Sequence, residues 1–273
     1  MNATKFRKRY GAWAVVTGAS DGIGYAFAEH LAAMSVNLVL VARNAERLRE
    51  LATALRQKHG VEVLPLAADL STGAGLAEVD RATAELNVGL YVACAGFGTS
   101  GLLIDADLDR ERSMIEVNCH AVMHGCVQFG RRFAVQRRGG IILLGSLVGW
   151  QGTPRSAHYA ATKAYVQSLA EALRVELAPF KVDVLCSAPG PVHTGFAKVA
   201  DMRMGAAVLP SVVADVSLRA LGSRGTVVPG ALSKFLTLSL AFLPRFLRTR
   251  ILGRVMGSMT KHQPPGSLAA HSS

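Results

Sequence analysis

Seven short apolar runs recur along the chain of 273 residues, at 12–17, 37–42, 62–67, 89–93, 140–145, 182–187 and 226–228. Between them lie stretches of helical periodicity, expected to form helices over 23–34, 45–59, 75–85, 110–137, 157–180 and 212–221, with Ser211 as N-cap of the last. Strand-sized and helix-sized segments in alternation leave few folds open. A parallel strand pair needs a crossover of roughly a dozen residues, and a helix laid on the sheet supplies it while covering an apolar face. Half of the residues are hydrophobic, enough for a sizeable core. No repeat, low-complexity stretch or Pro/Gly-rich linker divides residues 10–230. The expectation is an α/β fold, one domain on a doubly wound, seven-stranded parallel sheet.

The first run leads into Gly18, Ala19, Ser20, Asp21, Gly22, Ile23 and Gly24, after which a helix begins. Strand, glycine turn, helix is a phosphate-binding arrangement. Glycine lets the backbone approach a pyrophosphate and take positive φ, while the helix start offers unpaired amides and a positive dipole end. The second strand ends at Ala42, and Arg43 follows where the adenosine ribose of a dinucleotide would lie. A carboxylate there binds a free 2′-hydroxyl, whereas a cation favours the 2′-phosphate, so NADP(H) is expected over NAD(H). Against this, Arg43 could simply face solvent, and Asp21 puts a negative charge in the turn. Asp69 and Leu70 follow the third strand; Asp69 either receives the adenine amino group or caps the next helix. Ala95 and Gly96 end the fourth strand, beside which the cofactor must pass.

Tyr159 and Lys163 stand four residues apart, one turn of a helix, and Ser146 precedes Tyr159 by thirteen. The spacing puts the lysine ammonium on the face that carries the phenol. An unperturbed tyrosine, pKa ~10, is a poor proton donor or acceptor at neutral pH. A neighbouring cation is the simplest way to make it more acidic, and that acidification is expected here.

Together these residues resemble the short-chain dehydrogenase/reductase family, over about residues 10–230. Thr17 and Gly18 with Gly22 and Gly24 match its TGxxxGxG turn, and Tyr159 to Lys163 its YxxxK pattern; Asn118 and Ser146 stand where its catalytic asparagine and serine do. The resemblance implies a Rossmann fold and an enzyme that interconverts a carbonyl and an alcohol. It implies Tyr159 as proton donor or acceptor, Ser146 hydrogen-bonded to the same substrate oxygen, Lys163 gripping the nicotinamide ribose, and Asn118 holding a relay water. It also implies that Pro189, Gly190, Val192 and Thr194, after the sixth strand, meet the nicotinamide end. Singly, Ser146 could start a turn, Tyr159 be a helix-start aromatic and Asn118 an interior polar group. One departure stands out: the family's Asn-Asn-Ala-Gly is here Ala93, Cys94, Ala95 and Gly96.

The substrate side would come from 97–103, 147–152 and 192–208, mostly apolar, with Phe97, Trp150 and Phe196 prominent. A hydrophobic small-molecule substrate is expected, of fatty-acyl, steroid or similar lipophilic kind. His193 either contacts substrate or cofactor or has no role. The formal charge of +11 is concentrated at the ends: residues 11–230 carry twenty basic and nineteen acidic groups, whereas 231–273 carry six basic and none acidic. That tail should form a basic, amphipathic helical extension over 231–262, broken at Pro244, with 263–273 expected to be disordered. Pro244 arrives after only nine uncharged residues, short of the ~20 that cross a bilayer. The extension would lie on an anionic membrane surface, across the substrate cleft, or against a partner subunit. Aliphatic rather than aromatic residues accompany its cations, which disfavours nucleic acid.

A homodimer or homotetramer is expected, formed through the helices that carry Asn118 and Tyr159, where Ala160, Ala161 and Ala164 permit close contact. The four cysteines show neither metal-site spacing nor a disulfide framework, so no metal is expected. The basic start, Lys5 to Arg9, precedes an apolar run too short for a signal peptide, and a cytoplasmic protein is expected. The alternative to an enzyme is a non-catalytic nucleotide-sensing or membrane-associated scaffold that keeps the fold.

Overall fold

The structure, a computed structural model, describes residues 3–263. Seven strands form one all-parallel sheet in the order β3-β2-β1-β4-β5-β6-β7: β1 Trp13–Thr17, β2 Asn37–Ala42, β3 Val63–Ala67, β4 Val88–Ala93, β5 Gly139–Leu144, β6 Val182–Ser187 and β7 Thr226–Val227. The α/β expectation is met to within a residue or two at the strand ends. Chain order reverses between β1 and β4, which pair from Trp13 with Val88 to Thr17 with Ala93. A crevice therefore opens at the carboxyl ends of these two strands, because the connections leave them in opposite directions.

Successive strand residues point to opposite faces, so an unbroken apolar strand needs cover on both. Ala14 and Val16 join the core beneath α2 (Gly22–Ala33), α3 (Ala45–His59) and α9 (Pro210–Ala220), with Phe27, Leu31, Leu48 and Val213. Val15 joins the other core, beneath α4 (Gly73–Thr83), α6 (Ala121–Gln136) and α7 (Ala157–Leu177), with Leu76, Phe129, Phe133 and Val166.

Three helix expectations need correction. The continuous helix over 110–137 is instead α5 (Leu108–Ile115), a π-helical turn at Glu116–His120, and α6. Ser211 does not cap α9: Leu209 holds that position and Pro210, whose missing N–H costs nothing there, begins the helix. Residues 3–10, read only as basic, form α1 (Ala3–Tyr10), which buries Phe6 and Tyr10 against the sheet's amino end. Tyr10 donates a 2.8 Å hydrogen bond to Asp183, and burial, reinforced by that carboxylate, pushes its phenol pKa up.

Beyond the sheet, α8 (Phe196–Val199) is a single turn, followed late in the chain by α10 (Ala231–Ala241) and α11 (Arg245–Met259). The extension is thus two helices parted at Pro244, as expected. Of the expected disordered tail, Gln263 is hydrogen-bonded to Ser100 and Asp201; residues 264–273 lie outside the described residues.

Candidate active site

Leaving β1, the chain turns at Gly18, with φ +65°, and Gly22, with φ +55°. A Cβ on Gly18 would stand 2.8 Å from the Ala95 nitrogen, and one on Gly22 2.7 Å from Cγ2 of Thr194, so only glycine fits either place. Asp21 caps α2 by accepting the Gly22 N–H at 2.7 Å. The amides of Ile23 and Gly24 follow in a first turn that has no earlier carbonyl to meet, and the positive end of the helix faces the crevice. Ser20 lies in the same turn. The turn suits a dinucleotide's phosphates.

Arg43 is exposed one residue past β2, and Asn44 behind it caps α3. Asp69 accepts the Ser71 amide at 3.0 Å and the Ser71 hydroxyl at 2.8 Å; chiefly the backbone bond, with nearby Arg43 helping, holds its carboxyl below the usual range. The helix cap expected of Asp69 is Thr72, and the Leu70 side chain lies in the core. Thr17 Oγ1 accepts the Ala95 N–H at 3.1 Å. That bond ties β1 to the end of β4, where this chain lacks the asparagines of the resembled pattern.

Lys163 is buried, and its ammonium donates to the Leu144 carbonyl at 2.7 Å, 5.7 Å from the centre of the Tyr159 ring. Burial lowers its pKa to about 8, a shift softened by the thiols of Cys186, Cys119 and Cys94 around it. Here the acidification expected of Tyr159 fails. Burial pushes the phenol up, and the group beside it that pulls the other way is the Ser146 hydroxyl rather than Lys163. The thiols near Lys163 are not activated: burial raises all three, Cys186 to about 12.

Asn118 is fully buried in the π turn between α5 and α6, and the extra residue of that turn aims its amide at the crevice. The amide grips one stretch of backbone from both sides, accepting the Phe97 N–H at 3.1 Å and donating to the Phe97 carbonyl at 2.9 Å. It also donates to Thr162 at 3.1 Å. Asn118 thereby fixes the loop after β4 to α7. Gly96 backs on the same amide, 2.9 Å from where its Cβ would be.

After β6, Pro189 accepts the Leu147 N–H at 3.1 Å, Gly190 faces Ser233 of α10, and Val192 bridges to Val208. Thr194 accepts the Phe196 N–H at 3.2 Å, whereas His193 is exposed and apart from the cluster. Phe196 lies over Tyr159 with ring centres 5.2 Å apart. The segment it begins is clamped by the extension: Met202 packs with Met256, Arg203 N–H reaches the Met259 carbonyl, and His262 meets Asp201 at 2.9 Å. Opposite, α11 packs Gly253 on Pro154. Of the three placements open from sequence, the extension shows contact with the cleft wall. Sequence reasoning missed the Leu144 carbonyl and Ser233, neither of which sits in a recognisable pattern, and the bond from Ala95 to the hydroxyl of Thr17, a residue the glycine-turn pattern contains. A hollow of about 690 Å³ adjoins, between residues 99–107, 155–158 and Gln263.

A glycine turn at the sheet's switch point, facing a serine, a tyrosine and a buried lysine, defines a nucleotide-dependent oxidoreductase. The short chain dehydrogenase family pattern matches residues 12–204, and the chain belongs to that family. It is 34% identical over 235 residues to a 7β-hydroxysteroid dehydrogenase of Clostridium sardiniense, covering 84% of this chain and 89% of that protein. It is 36% identical over 203 residues to a very-long-chain 3-oxoacyl-CoA reductase of Podospora anserina, covering 72% and 59%. A solved short-chain dehydrogenase from Sphingobium yanoikuyae in complex with NADPH shares the fold with a TM-score of 0.76, at 30% identity over 84% of this chain and 92% of that one. This chain is accordingly an oxidoreductase of CH–OH and C=O groups that uses a nicotinamide cofactor.

Proposed function

We propose that the protein interconverts a carbonyl and a secondary alcohol on a bulky lipophilic substrate, steroid or fatty-acyl in kind, with NADP(H) and with Tyr159 as general acid and base. The observation that carries this is the convergence of Ser146 and Tyr159 hydroxyls beside the glycine turn, under the apolar roof of Phe196. Bound NADPH supplies the hydride. Tyr159 gives its proton to the carbonyl oxygen as that oxygen gains charge. Ser146 donates to the same oxygen and holds it against the phenol. The Lys163 ammonium stabilises the phenolate left behind, and Asn118 keeps the loop of Phe97 in register with α7.

Arg43, exposed at the ribose end with no carboxylate in its place, supports NADP(H) over NAD(H), in keeping with the NADPH-bound relative. Exposed Met123 and Val127 on α6 and Tyr165 on α7 support a homodimer through these helices. All four cysteines are unpaired, which fits the reducing cytoplasm. Contact with the periphery of a membrane belongs to the same reading, since lipophilic substrates partition there. The test is NADPH oxidation over a panel of keto-steroids, 3-oxoacyl thioesters and small ketones. Turnover of the bulky members, lost on Tyr159→Phe with NADPH affinity kept, is expected. Activity that survives Tyr159→Phe would refute the assignment.

A further inference from the structure

Helix α10 is packed inside out. Its inward stripe is Ser233, Thr237 and Leu240, spaced four and three residues apart. The opposite face carries Leu232, Phe235, Leu238 and Phe242, which are 53%, 68%, 63% and 85% exposed. A helix made to lie between a core and water shows the reverse pattern. Phe246, in the first turn of α11, is exposed too. These three phenylalanines alone leave on the order of 400 Å² in water, as much as the largest apolar patch of an ordinary monomer.

The charge around this face has one sign. Lys234, Arg245, Arg250 and Arg254 are exposed, and no acidic residue follows Asp215 in the chain. The Arg250 guanidinium stacks 5.9 Å over the Phe246 ring, which places a cation at the edge of the apolar patch. A second copy of the same face would bring two sets of uncompensated cations together, whereas an anionic surface would neutralise them. No described helix is long and apolar enough to cross a membrane, so contact would be in the plane of the interface.

We propose that α10 and the first turn of α11 dock on an anionic lipid bilayer, with Phe235, Leu238, Phe242 and Phe246 at the acyl boundary and Lys234, Arg245 and Arg250 on headgroup phosphates. Ser233 of the inward stripe abuts Gly190 and lies on the cleft wall, so docking sets the mouth of the site at the lipid surface. The advantage this gives rests on the reading of a lipophilic substrate; the docking itself does not.

The test is sedimentation of the full chain with vesicles of phosphatidylcholine alone, or with about one third phosphatidylglycerol. Binding to the anionic vesicles, weakened by salt, is expected. Phe235→Asp with Phe242→Asp, both at exposed positions, should cut the partition at least tenfold on those vesicles. Arg245→Gln with Arg250→Gln should cut it by about twenty-fivefold, at about fivefold per cation, with little effect on the neutral vesicles. Wild type left in the supernatant with anionic vesicles, or an unchanged partition for the Phe variant, overturns the proposal. So does a fall in light-scattering mass without lipid on introducing the Phe pair, which would give the face to a second copy. No turnover is read here, so failure leaves the oxidoreductase reading standing, and failure of NADPH oxidation leaves the docking result standing.

Discussion

Replacing Lys163 by Met isolates the cost of holding this lysine in the core. Burial lowers its pKa from 10.5 to about 8, so between those values the unfolded chain binds more protons than the folded one. Stability from this group therefore rises with pH across the window. At pH 7 both states are charged, and the shift corresponds to a penalty of about 3 kcal/mol; by pH 9.5 the folded lysine is neutral and about 1.4 kcal/mol remains. Wild type should gain about 2 kcal/mol relative to Lys163→Met between pH 7 and 9.5, roughly 4–8 °C in Tm. At pH 7 the two proteins should be closer than the penalty suggests, because the variant orphans the Leu144 carbonyl, at about 1–3 kcal/mol. Buried Tyr10, Tyr91 and Cys126 have raised pKa values and destabilise both proteins at alkaline pH, so they cancel in the difference. Urea unfolding of cofactor-free wild type and variant at the two pH values measures it. Stabilities that run parallel in pH would refute the assignment of a charged, desolvated lysine.

Tyr159→Phe should lower kcat by about 10²–10⁴-fold with NADPH affinity kept, read by NADPH oxidation and fluorescence titration. Arg43→Ala should raise the NADPH Kd by about 10–100-fold and leave that of NADH nearly unchanged, the measure being paired titrations. Gly22→Ala forces a side chain at φ +55° and 2.7 Å from Thr194, and should weaken both cofactors at least ~10-fold in the same titrations. Phe6→Ala should cost about 3–5 kcal/mol in urea unfolding, since the ring is buried beneath the sheet.

What was legible in the sequence is what local chemistry dictates. The strands could be read because an apolar run covered on both faces has no other soluble use, and the glycine turn because Gly18 and Gly22 answer to positive φ. Helix α1 was missed although Phe6 and Tyr10 stand four apart, because four cations in eight residues masked a two-residue stripe. The break at Glu116–His120 was invisible because a π turn inserts a residue without any breaker in the sequence.

The Tyr159 and Lys163 pair shows where such reading runs out. Four-residue spacing put the two side chains on one helix face, which is correct, but spacing does not say how deeply either group is buried or what else the ammonium meets. The end of β5, nineteen residues earlier, presents the Leu144 carbonyl at 2.7 Å, a partner set by the β4–β5–β6 register and not by any motif. Burial then acts on both groups at once, raising the phenol and lowering the ammonium. Desolvation thus opposes the charged phenolate–ammonium pair in the cofactor-free protein.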